Sequence, residues 1–261
     1  MTPRSYLFVP GNRPERFDKA LASAADAVIV DLEDAVPPDQ KIAARDLVGA
    51  WLSAERPVIV RVNAADTPWH ADDLALCRRP GVAAVMVAKA ERADALAGLG
   101  LNLPLLPLIE SAAGIDQLRA IAAVPGVQRL AFGAIDFQLD LNMRAGFDEL
   151  IHFRSQIVLA SRLAGIASPI DSPSVAIDDE AEVEDDAQRA RRLGFGAKLC
   201  IHPRQLAAVN RSFSPTATEI AWAQRVLEIA AASGGAAVAL DGRMIDKPVI
   251  LRAQAILAEV R

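Results

Sequence analysis

Only two cysteines, Cys77 and Cys200, occur in the 261 residues. The two give no metal-ligand spacing and no disulfide framework. Both read as ordinary thiols, with Cys200 buried in a strand. An excess of positive charge is also lacking: Lys+Arg 28 against Asp+Glu 33 gives a net charge of −5 and pI ≈ 5.3. Without a basic stripe the chain is a poor partner for phosphate backbones or anionic lipid, so no nucleic acid and no membrane are expected as main partners. No apolar run approaches transmembrane length, and Pro3, Arg4, Pro10 and Arg13 break up the segment from Met1 to Arg16. A signal-peptide core does not fit there, and a soluble, cytoplasmic protein is expected. Repeats, low-complexity tracts and Pro/Gly/Ser linkers are missing as well, as is a GxGxxG after the first apolar run. What is abundant is apolar surface, at 52% hydrophobic against 23% charged, which excludes a disordered chain.

That apolar surface comes in short runs: Tyr6–Pro10, Ala27–Leu32, Val58–Val62, Ala83–Ala88, Leu105–Ile109, Leu130–Gly133, Ala167–Ile170 and Ala197–Ile201. Runs rich in Val, Ile and Leu without polar alternation suit parallel strands covered on both faces. Helical stretches lie between them. Pro37-Pro38-Asp39 opens one whose apolar side is read as Ile42, Ala43, Leu47 and Trp51, and a second spans Asp148 to Ala164 before Gly165. A third is capped by Asp178 and ends at Gly194, which makes the acidic run Asp178–Asp186 a solvated helix face rather than a cation site. Eight strands alternating with helices predict an α/β fold, a (β/α)8 TIM barrel over residues 1–213. Residues 214–261 form a C-terminal helical extension that packs on the barrel or on a neighbouring subunit. Ser214-Pro215 starts its first helix.

The runs end in ionisable groups. Run two ends in Asp31-Leu32-Glu33-Asp34, run three in Arg61-Val62-Asn63, run four in Lys89, run five in Glu110, run six in Asp136, run seven in Asp171 and run eight in His202. In a barrel these positions converge on the C-terminal mouth, where catalysis occurs on this fold. Glu110 and Asp136, on strands five and six, are the pair able to share one cation. Hard oxygen donors suit Mg²⁺ or Mn²⁺, and a lone His202 argues against zinc. Arg61 offers a bidentate fork for a substrate carboxylate. Metal and arginine together are a device for holding a 2-keto acid.

Six segments carry a resemblance. They are Arg4 to Gly11 (RSYLFVPG), Ala27 to Val36 (AVIVDLEDAV), Val60 to Asn63 (VRVN), Ile109 to Ala112 (IESA), Phe132 to Phe137 (FGAIDF) and Lys198 to Pro203 (KLCIHP). Together, in this order, the chain resembles the citrate lyase β-subunit-like branch of the HpcH/HpaI aldolase family. The resemblance implies a TIM barrel and a Mg²⁺-dependent carbon–carbon lyase or synthase. Its expected substrate is a hydroxy-acyl-CoA thioester of malyl- or citramalyl-CoA type, its products an acyl-CoA and a 2-keto acid. By resemblance Glu110 and Asp136 are the metal ligands, Arg61 grips the keto-acid carboxylate, and Glu33 and Asp34 orient metal-bound water. The segment Met244 to Pro248 resembles one whose aspartate acts as acid/base from a neighbouring subunit, which makes Asp246 the candidate and a homo-oligomer, trimer or hexamer, the expected state. Arg4, Arg13 and Arg16, near the exit of the first strand, are candidates for contacts to CoA.

Two rivals stand beside this reading. One is a CoA-independent aldolase for 4-hydroxy-2-keto acids, which depends on a histidine near the early strands, whereas only His202 ends a strand here. The other is a non-autonomous β subunit that works with α and acyl-carrier partners.

Overall fold

The computed structural model describes residues 2–232, 238–240 and 243–260. Its eight apolar runs are strands closed on themselves: β1 (Ser5–Pro10), β2 (Ala27–Asp31), β3 (Val58–Val62), β4 (Val82–Val87), β5 (Leu105–Ile109), β6 (Ala131–Phe132), β7 (Ile170–Asp171) and β8 (Ala197–Cys200). Each pairs in parallel with the next, and β8 returns to β1 through Tyr6 opposite Leu199. This is the expected (β/α)8 barrel.

Strand side chains alternate, and the alternation decides what meets inside. Ile29, Ile59, Met86, Leu106, Leu108 and Leu199 belong to one interior cluster. Their neighbours Val28, Val30, Val58, Val60 and Val85 point the other way and are just as buried. Both faces are therefore apolar, which is why the runs show no polar alternation. β6 and β7 are two residues each, shorter than the apolar runs that predict them. Pro169 supplies no N–H just ahead of Ile170, where the β7 register begins, although its carbonyl accepts the Gly196 N–H.

The helices depart from the sequence reading in two places. Helix Lys41–Trp51 buries Lys41, Ala44, Val48 and Gly49, while Ile42 and Leu47 are exposed. The buried stripe thus runs one position off the more apolar one, because Lys41 is drawn inward by polar contacts described below. Helix Glu180–Leu193 is capped by Asp179, which accepts the Glu182 N–H at 3.0 Å, and ends at Gly194 with φ of +104°. Asp178 instead pairs with Arg204. The helix expected over 148–164 spans Ile151–Leu163, and Gly165 follows at φ of +69°.

The chain divides into two compact units, Met1–Asn210 and Arg211–Arg261. In the second, helices Ala217–Ala232 and Lys247–Ala258 share a core of Ala223, Val226, Ile245, Ala253 and Ile256, and an antiparallel pair joins Val238–Leu240 to Arg243–Ile245. Leu227, Val249 and Ile250 pack against this core. Among the described residues no helix is long and apolar enough to cross a membrane.

Candidate active site at the barrel mouth

Continuing the interior alternation by one step toward the C-terminal ends of the strands places Asp31 beyond Ile29, Arg61 beyond Ile59, Glu110 beyond Leu108 and Gly133 beyond Ala131. Strand register sets Asp31 directly beside Arg61. Polar side chains at these positions close over the apolar interior, and a cavity of about 830 Å³ opens there, lined among others by Asp31, Asp34, Arg61, Glu110 and Asp136.

Arg61 is buried and spends its fork on its neighbour: Nε donates to Asp31 Oδ1 at 2.7 Å and Nη2 to Asp31 Oδ2 at 2.6 Å. Nη1 pairs with Glu33 Oε2 at 2.9 Å and reaches Asp34 Oδ2 at 3.3 Å. The expectation of a fork open to a substrate carboxylate is corrected accordingly. Two parallel bonds already go to Asp31, and one Nη2 hydrogen is left for a ligand. The plane of the guanidinium rests on Phe8, 4.8 Å from the ring centre.

Glu33 and Asp34 ride on the loop after β2, and that loop is tied down by its main chain. Lys41 Nζ donates to the carbonyls of Leu32 at 2.9 Å and Glu33 at 2.7 Å, and Asn63 Nδ2 also donates to Leu32 O. Asn63 is itself fixed by the buried Asp73, which accepts both its N–H and its side-chain amide. Burial pushes Glu33 up to about 7, against the pull of Arg61.

Glu110 is 3% exposed. Its Oε1 accepts the Lys89 N–H at 2.7 Å, while its Oε2, equally buried, has no hydrogen-bond partner. Desolvation raises its pKa to about 8. Gly133 makes room for it: a Cβ there would lie 2.6 Å from Glu110 Oε2 and 2.7 Å from Glu110 Cβ. Asp136 is half-buried in the first turn of helix Ala134–Asp140, not on β6 itself, and burial, with the Asp34 charge next, raises its pKa also. Two carboxyls raised by burial, one with an orphaned oxygen, on the wall of one cavity, fit a hard divalent cation. Among the described residues no group of three or more His, Cys, Asp or Glu is placed to hold a metal. A cation held by only two protein carboxylates keeps positions for water and substrate, the habit of Mg²⁺.

The other candidates fall elsewhere. Arg4 precedes β1 and so lies at the barrel end opposite the mouth, its N–H on Asp26. Arg13 is exposed, with Nε on Glu15 Oε1 at 2.6 Å. The cavity cations on this side are Arg16 and Lys19. The expectation that Arg4 contacts a ligand is thereby corrected, because the residue before a strand and the residue after it are a barrel's length apart. His202 caps the turn that follows β8, accepting the Arg204 N–H on Nδ1. Asp246, in the second unit, caps helix Lys247–Ala258, accepting the Val249 N–H at 3.2 Å. Sequence reasoning passed over Lys41, Gly133 and the carboxylate partner of Arg61. Counting two residues past each interior side chain finds Asp31 and Gly133, whereas Lys41, on a helix, leaves no such signal.

The HpcH/HpaI aldolase/citrate lyase family model matches residues 4–203. A citrate lyase subunit beta-like protein of Deinococcus radiodurans is 39% identical over 98% of this chain and 96% of its own length. A (3S)-malyl-CoA thioesterase of Cereibacter sphaeroides is 35% identical over 98% of this chain and 94% of its own. The crystal structure of CitE from Mycobacterium tuberculosis in complex with magnesium, acetoacetate and coenzyme A superposes with a TM-score of 0.89 at 36% identity, covering 98% of this chain and 97% of that one.

Proposed function

The chain belongs to the HpcH/HpaI aldolase/citrate lyase family, and on that premise we propose that it is a Mg²⁺-dependent lyase acting on a hydroxy-acyl-CoA of malyl- or citramalyl-CoA type. It opens the bond between the hydroxyl-bearing carbon and the carbon alpha to the thioester, or forms that bond in reverse, with an acyl-CoA and a 2-keto acid on the other side. The observation that carries the reading is the buried, unpartnered Oε2 of Glu110, a residue that lines the same cavity as Asp136. The relatives support the ligand classes: one acts, by name, on malyl-CoA, and another holds magnesium, a keto acid and coenzyme A.

Glu110 and Asp136 would hold the cation, which supplies Lewis-acid polarisation of the keto or alkoxide oxygen. Asp31 orients Arg61, whose remaining Nη2 hydrogen meets the keto-acid carboxylate, and Arg61 in turn orients Glu33 and Asp34 toward bound water. Arg16 and Lys19 serve the thioester's phosphates. Asp246, supplied by a neighbouring subunit of a homo-oligomer, trimer or hexamer, takes or returns the proton.

Purified protein with Mg²⁺ should convert malyl-CoA or citramalyl-CoA to acyl-CoA plus keto acid, followed by chromatography, and EDTA should stop it. Release of free CoA with the hydroxy acid intact would replace cleavage of the carbon–carbon bond by thioester hydrolysis. Turnover of free 4-hydroxy-2-keto acids would favour the aldolase reading, and activity only on adding α and acyl-carrier subunits the non-autonomous one. Mixing inactive Asp246→Asn with inactive Glu110→Gln should restore activity if sites are shared between subunits. No recovery after verified subunit exchange removes Asp246 from that role.

A further inference from the structure

Lys89 directly follows the β4 strand and its trailing Ala88, and its backbone lies at φ of +46°. Among the described residues only Lys89 and Asn142 combine a side chain with positive φ. The left-handed region costs an ordinary residue free energy because Cβ crowds the carbonyl, and such strain persists only where the surroundings hold it in place. Here the strained turn aims the Lys89 N–H into the barrel mouth, 2.7 Å from Glu110 Oε1. The consequence is an asymmetric carboxylate: Oε1 is occupied, Oε2 is buried and unpartnered. The Lys89 side chain itself is exposed, and its ammonium draws the Asp136 carboxyl down against burial, the larger influence.

We propose that Lys89 is a positioning residue that acts through its main chain, its left-handed turn holding Glu110 Oε1 so that only Oε2 meets the cation. The inference rests on the assignment of Glu110 as a metal ligand. It separates two contributions of one residue. The strained N–H orients the ligand, while the exposed ammonium opposes the cation. A residue that tolerates positive φ keeps the first and drops the second, whereas a β-branched residue, which avoids positive φ, loses both.

The test is a series at this exposed position, Lys89→Gly, Lys89→Asn and Lys89→Val, titrated with Mn²⁺ alone by electron paramagnetic resonance, with melting temperatures to verify the fold. Gly and Asn should bind Mn²⁺ at least as tightly as the wild type, and Val about tenfold more weakly, the usual scale for losing a group that orients a metal ligand. If all three neutral variants shift together, affinity follows charge and the proposal is overturned. It is also overturned if Val binds like the wild type. Glu110→Gln separates the two levels. If it binds Mn²⁺ like the wild type, the ligand assignment falls and this inference with it. If it loses the ion while Val keeps it, the role of Lys89 alone is wrong.

Discussion

Two buried carboxylates stand at the ends of barrel strands and have opposite fates. Asp171, one residue past the interior Ile170, points away from the barrel axis and is fully buried. It accepts Arg154 Nε at 2.8 Å and Lys198 Nζ at 2.9 Å. Burial pushes its carboxyl up, but Lys198 and Arg154 together outweigh it and hold the group below the usual carboxylate range. Glu110, two residues past the interior Leu108, points inward, is almost as buried, and is raised to about 8 with one oxygen unpartnered. A single step along a strand thus separates a carboxylate satisfied by the protein from one left for a ligand. Charge that the fold completes is structural, and charge that it leaves incomplete is where a cation fits.

The widest expected gap is in activity. Glu110→Gln should lower turnover on the order of a thousandfold, the worth of several kcal/mol of Lewis-acid stabilisation. Its stability without metal should hold or rise, because the amide removes a carboxyl that burial penalises. A steady-state assay beside a urea melt checks both. Asp171→Asn should do the reverse, losing about 3–5 kcal/mol of stability as two buried cations lose their counter-charge. Its Mn²⁺ affinity, where the variant is folded, should match the wild type.

Gly133→Ala tests the Glu110 carboxylate without altering charge. The added Cβ, at 2.6 Å from Glu110 Oε2, must displace that oxygen. Calorimetric titration with Mg²⁺ should find affinity reduced about 10–100-fold, the scale of a disturbed ligand orientation, and unchanged affinity would mean Glu110 moves aside freely.

The smallest effect is in acid. Because the Asp171 pKa is depressed in the fold, its contribution to stability is fully present above the unfolded-state value of about 3.9. It is lost as pH falls through the folded value. Melts of the wild type between pH 6 and 3 should therefore fall more steeply at the acid end than those of Asp171→Asn. Parallel curves would assign acid sensitivity to other carboxyls.

The barrel was legible from the chain alone. Runs of Val, Ile and Leu without polar alternation can be covered only on both faces, and eight of them separated by helices leave few other closures. The sequence also placed Glu110, Asp136, Glu33, Asp34 and Arg61 at one mouth, since every strand of a parallel barrel exits on the same side. Tertiary structure decided what those groups do to each other. Register put Asp31 beside Arg61 and engaged the fork that looked open. Helix packing drew Lys41 inward to two carbonyls and left Ile42 outside, against the apolar pattern. The bare Cα of Gly133 made room for Glu110 Oε2, and the left-handed turn at Lys89 occupied Oε1. Lys41 reaches eight and nine residues back to its carbonyls, while the Arg61–Asp31 and Lys89–Glu110 contacts join residues 30 and 21 apart that neighbouring strands bring together. Propensity and spacing describe one segment at a time and carry no record of these pairs.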